Sequence, residues 1–241
     1  MKVIVIIAAA GLGTRMVSAG AKTKKPVPSK QYTELGGTPI LIHTLRKFAV
    51  HPRVTEIVVA LRKDEIAGFR ERLEAEAKDV LQKKIELVVG GEHRQESVAN
   101  AMRAVSAAPD DVILVHDAVR PFVTAEIISE VIEGAKKHGA AIAGMPAVDT
   151  IKQVERTSDG ALITATFPRE RVVMAQTPQG FRYEILKKAF DEAAADGFVG
   201  TDEASLVERA GGAVAVVMGS PRNLKITTPS DMELAEFYLR H

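Results

Sequence analysis

Near its start the 241-residue chain carries Ala8-Ala9-Ala10-Gly11-Leu12-Gly13-Thr14-Arg15-Met16, and around it lies a run of cations without an acid. From Met1 to Thr33 there is no Asp or Glu, whereas Lys2, Arg15, Lys22, Lys24, Lys25 and Lys30 are all basic. Small residues let backbone N–H groups approach a phosphate or nucleobase closely, and the cations that follow would clamp a triphosphate. Two familiar phosphate loops fail on the letters. A dinucleotide fingerprint opening at Gly11 needs glycine where Met16 stands, and a P-loop needs Gly-Lys-Ser/Thr, which is absent here. The plain alternative for the same cations is a solvated loop.

Three further groupings could carry chemistry. Gly90-Gly91-Glu92-His93-Arg94-Gln95-Glu96-Ser97 joins a glycine turn to a helix start and offers free N–H groups and a hydroxyl, although such turns are more often structural. His116-Asp117-Ala118-Val119-Arg120-Pro121-Phe122 sets Asp117 where a carboxylate can serve Mg²⁺ or a substrate hydroxyl, and Arg120 where a guanidinium can face an anion. Against that stands a simple Asp–Arg loop pair with His116 packed beneath, since His116 has no second ligand at metal spacing. Asn223-Leu224-Lys225-Ile226-Thr227-Thr228-Pro229 puts Lys225 just before a last helix capped by Thr228 or Ser230. Thr201-Asp202-Glu203-Ala204-Ser205 reads as a helix start capped by Thr201, and taken singly both segments are ordinary surface.

What must position these groups is legible in the apolar runs. Val3–Ala8, Ile57–Leu61, Ile85–Val89, Val112–Val115, Ala140–Met145 and Ala213–Met218 are short and mostly β-branched, the pattern of strands buried on both faces. Between them, apolar residues at three- and four-residue spacing predict helices over 39–50, 63–78, 94–106, 124–138, 183–195, 202–210 and 230–239. Strand and helix alternate, which implies right-handed crossovers and an α/β fold: a three-layer open, mostly parallel sheet of Rossmann-like type, with its ligand site at the carboxyl ends of the strands. Residues 147–176 break the rhythm with β-favouring residues around Ser158-Asp159-Gly160, so they are expected to form a projecting β-arm. Such an arm has too little apolar surface to stand alone, and a second subunit is its expected support. The whole of 1–241 is expected to be one catalytic domain with the arm inside it.

Composition removes other classes. Apolar residues at 46% and charged residues at 26% fit a folded globular chain. Lys plus Arg number 32 against 31 Asp plus Glu, so the net charge of +1 argues against nucleic-acid binding by the chain as a whole. With no cysteine there is no disulfide, thiolate zinc site or cysteine nucleophile, and any metal must sit on oxygen or imidazole. The uncharged stretch from Val3 to Thr14 is too short for a membrane span, and a cytoplasmic setting is expected.

Taken in order, 8–16, Ser29-Lys30-Gln31-Tyr32, Gly90-Gly91 with Arg94 and Ser97, 116–122, 147–152, Ala175-Gln176-Thr177-Pro178-Gln179, 201–205 and 223–229 resemble the methylerythritol phosphate cytidylyltransferases. The resemblance covers essentially the whole chain. It implies a nucleotide-diphospho-sugar transferase-like fold and a reaction of CTP with 2-C-methyl-D-erythritol 4-phosphate, yielding the CDP-linked alcohol and pyrophosphate. By this resemblance Arg15, Lys30 and Lys225 surround the α-phosphate and leaving group, and the backbone at Ala9, Ala10, Gly11 and Gly13 holds the nucleotide. Gly91 and Ser97 read cytosine, while Arg94 and Asp117, with Ala118 beside it, serve the nucleotide, and Asp117 assists Mg²⁺ carried mainly on the CTP phosphates. Asp117, Arg120 and Thr177 lie near the sugar phosphate, and Thr150 and Arg169 reach over from the arm of a second subunit in a homodimer. The segment Met16–Ser29 departs from the family by its length and its lysines, and Ser29 stands where proline is usual. The choice of Lys30 over Lys25 therefore rests on the Gln31-Tyr32 that follows. Ribitol 5-phosphate cytidylyltransferases share the glycine turn, His-Asp-Ala-Val-Arg-Pro and Lys-Ile-Thr-Thr-Pro, and a CTP-binding sensor without activity is the alternative of another class.

Overall fold

The computed structural model describes residues 1–11 and 30–241, so Gly13, Arg15, Lys22, Lys24 and Lys25 lie outside the described residues. The elements are β1 (Val3–Ala8), β2 (Glu34–Leu35), β3 (Thr38–Pro39), α1 (Ile40–Ala49), β4 (Glu56–Leu61), α2 (Ile66–Glu76), β5 (Lys84–Val89), α3 (Arg94–Ala104) and β6 (Val112–Asp117). They continue with α4 (Ala125–His138), β7 (Ala140–Pro146), β8 (Ile151–Thr157), β9 (Gly160–Phe167), β10 (Val173–Arg182), α5 (Tyr183–Ala195), α6 (Glu203–Arg209), β11 (Ala215–Met218) and α7 (Pro229–Arg240).

Seven strands form one sheet in the order β11-β7-β10-β6-β1-β4-β5. Every neighbouring pair is parallel except those made by β10, which runs antiparallel to both β6 and β7. β1 shows why its letters read as one apolar run. Val3, Val5 and Ile7 pack into a layer with α1 and α4, while Ile4 and Ile6 face α3, α5 and α6 on the other side. Alternate side chains thus enter two different cores, and neither face needs a polar residue.

The arm ends earlier than its sequence suggests. β8 and β9 pair from Ile151↔Phe167 to Thr157↔Gly160 as a separate two-stranded sheet, most of it exposed. Val173, Met174 and Ala175 already pair with β7, so 173–176 belong to a main-sheet strand and not to the arm. That strand is masked in the letters by Pro178 and Gly180, residues that argue against an interior strand. The ladder to β7 shifts register between Ala175 and Gln179, and this irregularity accommodates a proline with no N–H to donate.

The β2–β3 hairpin was equally unforeseen. Its turn residues Gly36 and Gly37 have φ of +58° and +79°, the pair of positive values that a tight primed turn requires. Leu35 at its end packs with Ile40, Val119, Ile226 and Ala235, which joins α7 and the loop after β6 to the body of the fold. One helix cap differs from expectation and another is decided between the two expected residues. Asp202, not Thr201, caps α6, because its carboxylate accepts from Ser205 N–H at 3.0 Å while the Ser205 hydroxyl returns the contact, and Thr228 rather than Ser230 caps α7. Among the described residues no helix is long and apolar enough to cross a membrane.

Sheet register creates the site. Ala8 pairs with Asp117 and Leu61 with Val89, so the glycine loop after β1, the Gly90-Gly91 turn after β5 and the Asp117 loop after β6 leave along one carboxyl edge.

Candidate active site

At that edge lies a cleft of about 200 Å³ lined by Ala9, Ala10, Gly11, Lys30, Gly91, Arg94, Ser97, Asp117, Ala118 and Lys225. Lys30 comes to it on a short 3-10 turn, Lys30–Tyr32. The neighbouring Gln31 is buried, and its amide donates to the Ala9 carbonyl at 2.7 Å, which locks the turn to the glycine loop. On the opposite wall the Gly91 N–H donates to Ser97 Oγ at 3.0 Å, and the hydroxyl donates to the His93 carbonyl at 3.0 Å. Gly90 lets the two walls meet, since a Cβ there would lie 2.4 Å from the Ala10 Cβ.

Asp117 is the hub. Its Oδ1 accepts from Arg94 Nε at 3.2 Å, and its Oδ2 stands 2.8 Å from Lys225 Nζ and 3.5 Å from Arg120 Nε. Burial alone would raise this carboxyl, but Arg94, Lys225 and Arg120 outweigh it and hold the group below the usual carboxylate range. Arg120 is itself 8% exposed, and its Nη1 donates to the Asn223 carbonyl at 2.6 Å. Its Nε has no hydrogen-bond partner among the described residues. Burial pulls the Arg120 guanidinium below its ordinary value, against the opposing pull of Asp117, and it stays a cation.

A second cleft of about 200 Å³ adjoins the first and is lined by Arg94, Asp117, Arg120, Thr177, Gln179, Asp202 and Lys225 among others. Thr177 borders it, yet the Thr177 hydroxyl is committed inward. Burial drives His116 down to about 3, so its ring is neutral. His116 Nε2 lies 3.1 Å from the Arg120 carbonyl, which only accepts, and this fixes the proton on Nε2. Nδ1 is then bare, and the Thr177 hydroxyl 3.0 Å away donates to it while accepting from the Asp117 N–H at 3.1 Å. Thr177 thus holds the Asp117 loop and has no proton left for a ligand.

The expected residues fall into three groups. Ala9, Ala10, Gly11, Lys30, Gly91, Arg94, Ser97, Asp117, Ala118, Arg120, Thr177 and Lys225 line one cleft or both. Thr150 and Arg169 are exposed and line neither cleft of their own chain, and the Arg169 Nη1 donates to the Val148 carbonyl at 3.1 Å. Gly13 and Arg15 are outside the described residues. Sequence reasoning quoted Gln31, Gln179, Glu203 and Asn223 within its motifs but gave their side chains no role, and all are 1% exposed or less. A buried polar side chain has no periodic signature, and only its partners reveal it.

No cluster of three or more His, Cys, Asp or Glu residues suited to a metal occurs among the described residues. Asp117 is the carboxylate between the two clefts, and a direct bond to Mg²⁺ would have to displace Lys225 or Arg94 from it. The described residues therefore do not build a magnesium site of their own.

Cations gathered on one buried carboxylate beside a glycine-lined cleft suit an enzyme that handles phosphorylated substrates by electrostatics. The family profile of 2-C-methyl-D-erythritol 4-phosphate cytidylyltransferase (IspD) matches residues 3–241, and the chain belongs to this family. Relatives of that description include one from Acidobacterium capsulatum, 58% identical over all of this chain and 98% of its own, and one from Solibacter usitatus, 52% identical over all of this chain and 96% of its own. Among solved structures, the Francisella tularensis 2-C-methyl-D-erythritol 4-phosphate cytidylyltransferase superposes with a TM-score of 0.80 at 35% identity, covering 98% of this chain and 99% of that one. The 4-diphosphocytidyl-2C-methyl-D-erythritol synthase of Anaerococcus prevotii gives 0.80 at 29% identity, covering 100% and 99%.

Proposed function

We propose that the chain transfers the cytidylyl group of CTP to 2-C-methyl-D-erythritol 4-phosphate, releasing pyrophosphate and 4-diphosphocytidyl-2-C-methyl-D-erythritol, a step of non-mevalonate isoprenoid precursor synthesis. The observation that carries the reading is the meeting of two clefts at Arg94, Asp117 and Lys225, one for each substrate. A phosphate monoester with a second pKa near 6 is already an anion at neutral pH, so it attacks without a general base. One oxygen of that phosphate bonds to the CTP α-phosphorus as the bond to pyrophosphate breaks. Protein cations then stabilise the charge that accumulates, and the two clefts align the reactants.

In this reading Arg15, Lys30 and Lys225 surround the α-phosphate and the leaving group, and the backbone at Ala9, Ala10, Gly11 and Gly13 carries the nucleotide. Gly91 and Ser97 face the cytosine edge, with Arg94, Asp117 and Ala118 alongside. Arg120, a buried cation that borders the second cleft beside Asp117, takes the phosphate of the sugar alcohol. Thr177 contributes by fixing Asp117 rather than by donating to substrate. Magnesium, if brought in by CTP, would supply charge neutralisation of the triphosphate beside Asp117, the carboxylate nearest to assist it.

Residues 1–241 act as one catalytic domain whose hairpin joins two copies in a homodimer, each lending its Thr150 and Arg169 to the other's second cleft. Supporting this, Leu162, Ile163 and Phe167 on the hairpin are 66%, 64% and 46% exposed, more apolar surface than a lone two-stranded sheet keeps in water. Charged substrates that do not cross membranes suit a cytoplasmic setting.

Pyrophosphate release from CTP and Mg²⁺ tests the reading, with methylerythritol 4-phosphate and ribitol 5-phosphate assayed in parallel. Preference for the former by orders of magnitude is expected. Preference for ribitol phosphate would overturn the substrate, and CTP binding without turnover on either would overturn the activity.

A further inference from the structure

We propose that Glu203 is a positioning residue of the transfer reaction: its buried carboxylate grips one edge of the Arg94 guanidinium, so that Arg94 stands between the two clefts and Asp117 Oδ2 is left to Lys225. The inference rests on the reading of the two clefts as substrate sites.

Glu203 opens α6 and is 1% exposed. Both its carboxylate oxygens accept from Arg94 Nη1 at 2.7 Å, while Arg94 Nε donates to Asp117 at 3.2 Å. Arg94 thus bridges two carboxylates, lines both clefts, and keeps Nη2 without a hydrogen bond among the described residues. Remove the Glu203 charge and the nearest anion for Arg94 is Asp117 alone. The planar fork favours two-point contact with a carboxylate, so Arg94 would turn onto Asp117 and compete with Lys225, whose Nζ is 2.8 Å from Oδ2. One substitution would then shift two cations that face the substrates.

Packing does not account for the pair. A buried ion pair is often no more stabilising than apolar residues of the same volume. α6 is also moored without it. The Gly200 N–H donates to Gln95 Oε1 at 2.8 Å and Gln95 Nε2 donates to the Phe198 carbonyl at 3.0 Å. On the other side Gln179 Nε2 donates to Asp202 at 2.7 Å and the Ala204 N–H donates to Gln179 Oε1 at 3.1 Å. What Glu203 adds to these contacts is a fixed charge directed at Arg94. Burial leaves its carboxyl above the ordinary value although Arg94 pulls it down, and the two 2.7 Å contacts to a permanent cation are what hold it as an anion.

The test is a double-mutant cycle of Glu203→Gln and Arg94→Lys in the full chain, read as pyrophosphate release with each substrate varied, well below the melting temperature of each variant. Glu203→Gln should lower kcat by about tenfold to a hundredfold, the effect of a small misplacement of a reacting group, and move the KM for CTP by less than about threefold. Glu203→Asp, which keeps the charge, should recover part of the loss. On the Arg94→Lys background Glu203→Gln should change kcat by no more than about twofold, because the two residues act as one unit. Independent, multiplying effects would overturn the proposal, as would a lowered melting temperature with kcat unchanged. If the unaltered chain released no pyrophosphate, the substrate reading would fall separately. Crystal structures of the parent and of Glu203→Gln then decide the positioning itself: Arg94 turned onto both Asp117 oxygens in the variant is expected, and an Arg94 left in place would overturn the proposal.

Discussion

Replacing Thr177 by valine keeps the shape of the side chain and deletes one hydroxyl. In the folded protein that hydroxyl donates to His116 Nδ1 at 3.0 Å and accepts from the Asp117 N–H at 3.1 Å. Both partners are buried, with His116 at 0% and Asp117 at 6% exposure. Thr177→Val therefore leaves one acceptor and one backbone donor without partners, each worth about 1–3 kcal/mol when buried, for a total loss of roughly 2–6 kcal/mol. Thr177→Ser keeps both hydrogen bonds and removes only a methyl group, which should cost about 1 kcal/mol.

Urea unfolding at neutral pH separates the two variants, with the midpoint read at unchanged slope. Turnover supplies the second axis. A hydroxyl that served the sugar phosphate would give Thr177→Val a poor kcat/KM for that substrate and a stability close to the parent. The inward arrangement gives a large stability loss for valine and a near-parental serine variant. A valine variant within about 0.5 kcal/mol of the parent would refute the proton ordering deduced for His116, since two orphaned buried groups cannot be that cheap.

Other outcomes follow from the same geometry. Lys30→Ala should reduce kcat by about a hundredfold or more, as loss of a charge-stabilising group at the transferred phosphate does, whereas Lys25→Ala should stay near the parent; near-parental turnover in Lys30→Ala would move the role elsewhere in the lysine run. His116 is neutral when folded, down to about 3, and begins to protonate near 6.5 when unfolded, so between these values the unfolded chain binds the extra proton. Its contribution to stability is complete above 6.5 and falls with pH by at most about 1.4 kcal/mol per unit, a slope that His116→Gln should flatten in urea titrations over that window. Gly90→Ala would force a Cβ to within 2.4 Å of the Ala10 Cβ, whereas a Cβ at Gly91 meets only the movable Glu96 side chain. The first should lose about 1–3 kcal/mol in thermal melts and the second much less, and equal losses would show that the two walls do not touch as described.

Much of this was legible in the chain because its two layers bury β1, β4 and β6 on both faces. Strands so placed become unbroken β-branched runs, and the loops at their carboxyl ends mark the site edge before any contact is known. Gly11, Asp117 and Arg120, read from the loops after β1 and β6, line the clefts for that reason, and Gly91 joins them from the turn after the less buried β5. β10 was hidden because it pairs antiparallel on both sides and carries Pro178 and Gly180 within the strand, so its opening residues passed for the arm.

The polar residues behind the site stayed invisible for a different reason, which also bears on how the site works. Arg94 and Glu203 are separated by 109 positions, Arg120 and Asn223 by 103, and His116 and Thr177 by 61. No local rule links such pairs, because the sheet topology alone brings β6, β10 and the start of α6 together. Yet a site that acts by fixed charge needs this kind of support. Asp117 holds three cations only while its backbone is clamped by Thr177, Arg94 is pulled aside by Glu203 and Arg120 is anchored on Asn223. Remove those contacts and the cations would relax onto the nearest carboxylate, trading alignment for local neutralisation. The residues that line the clefts can therefore be read from short segments, while the order that holds them together is a property of the fold.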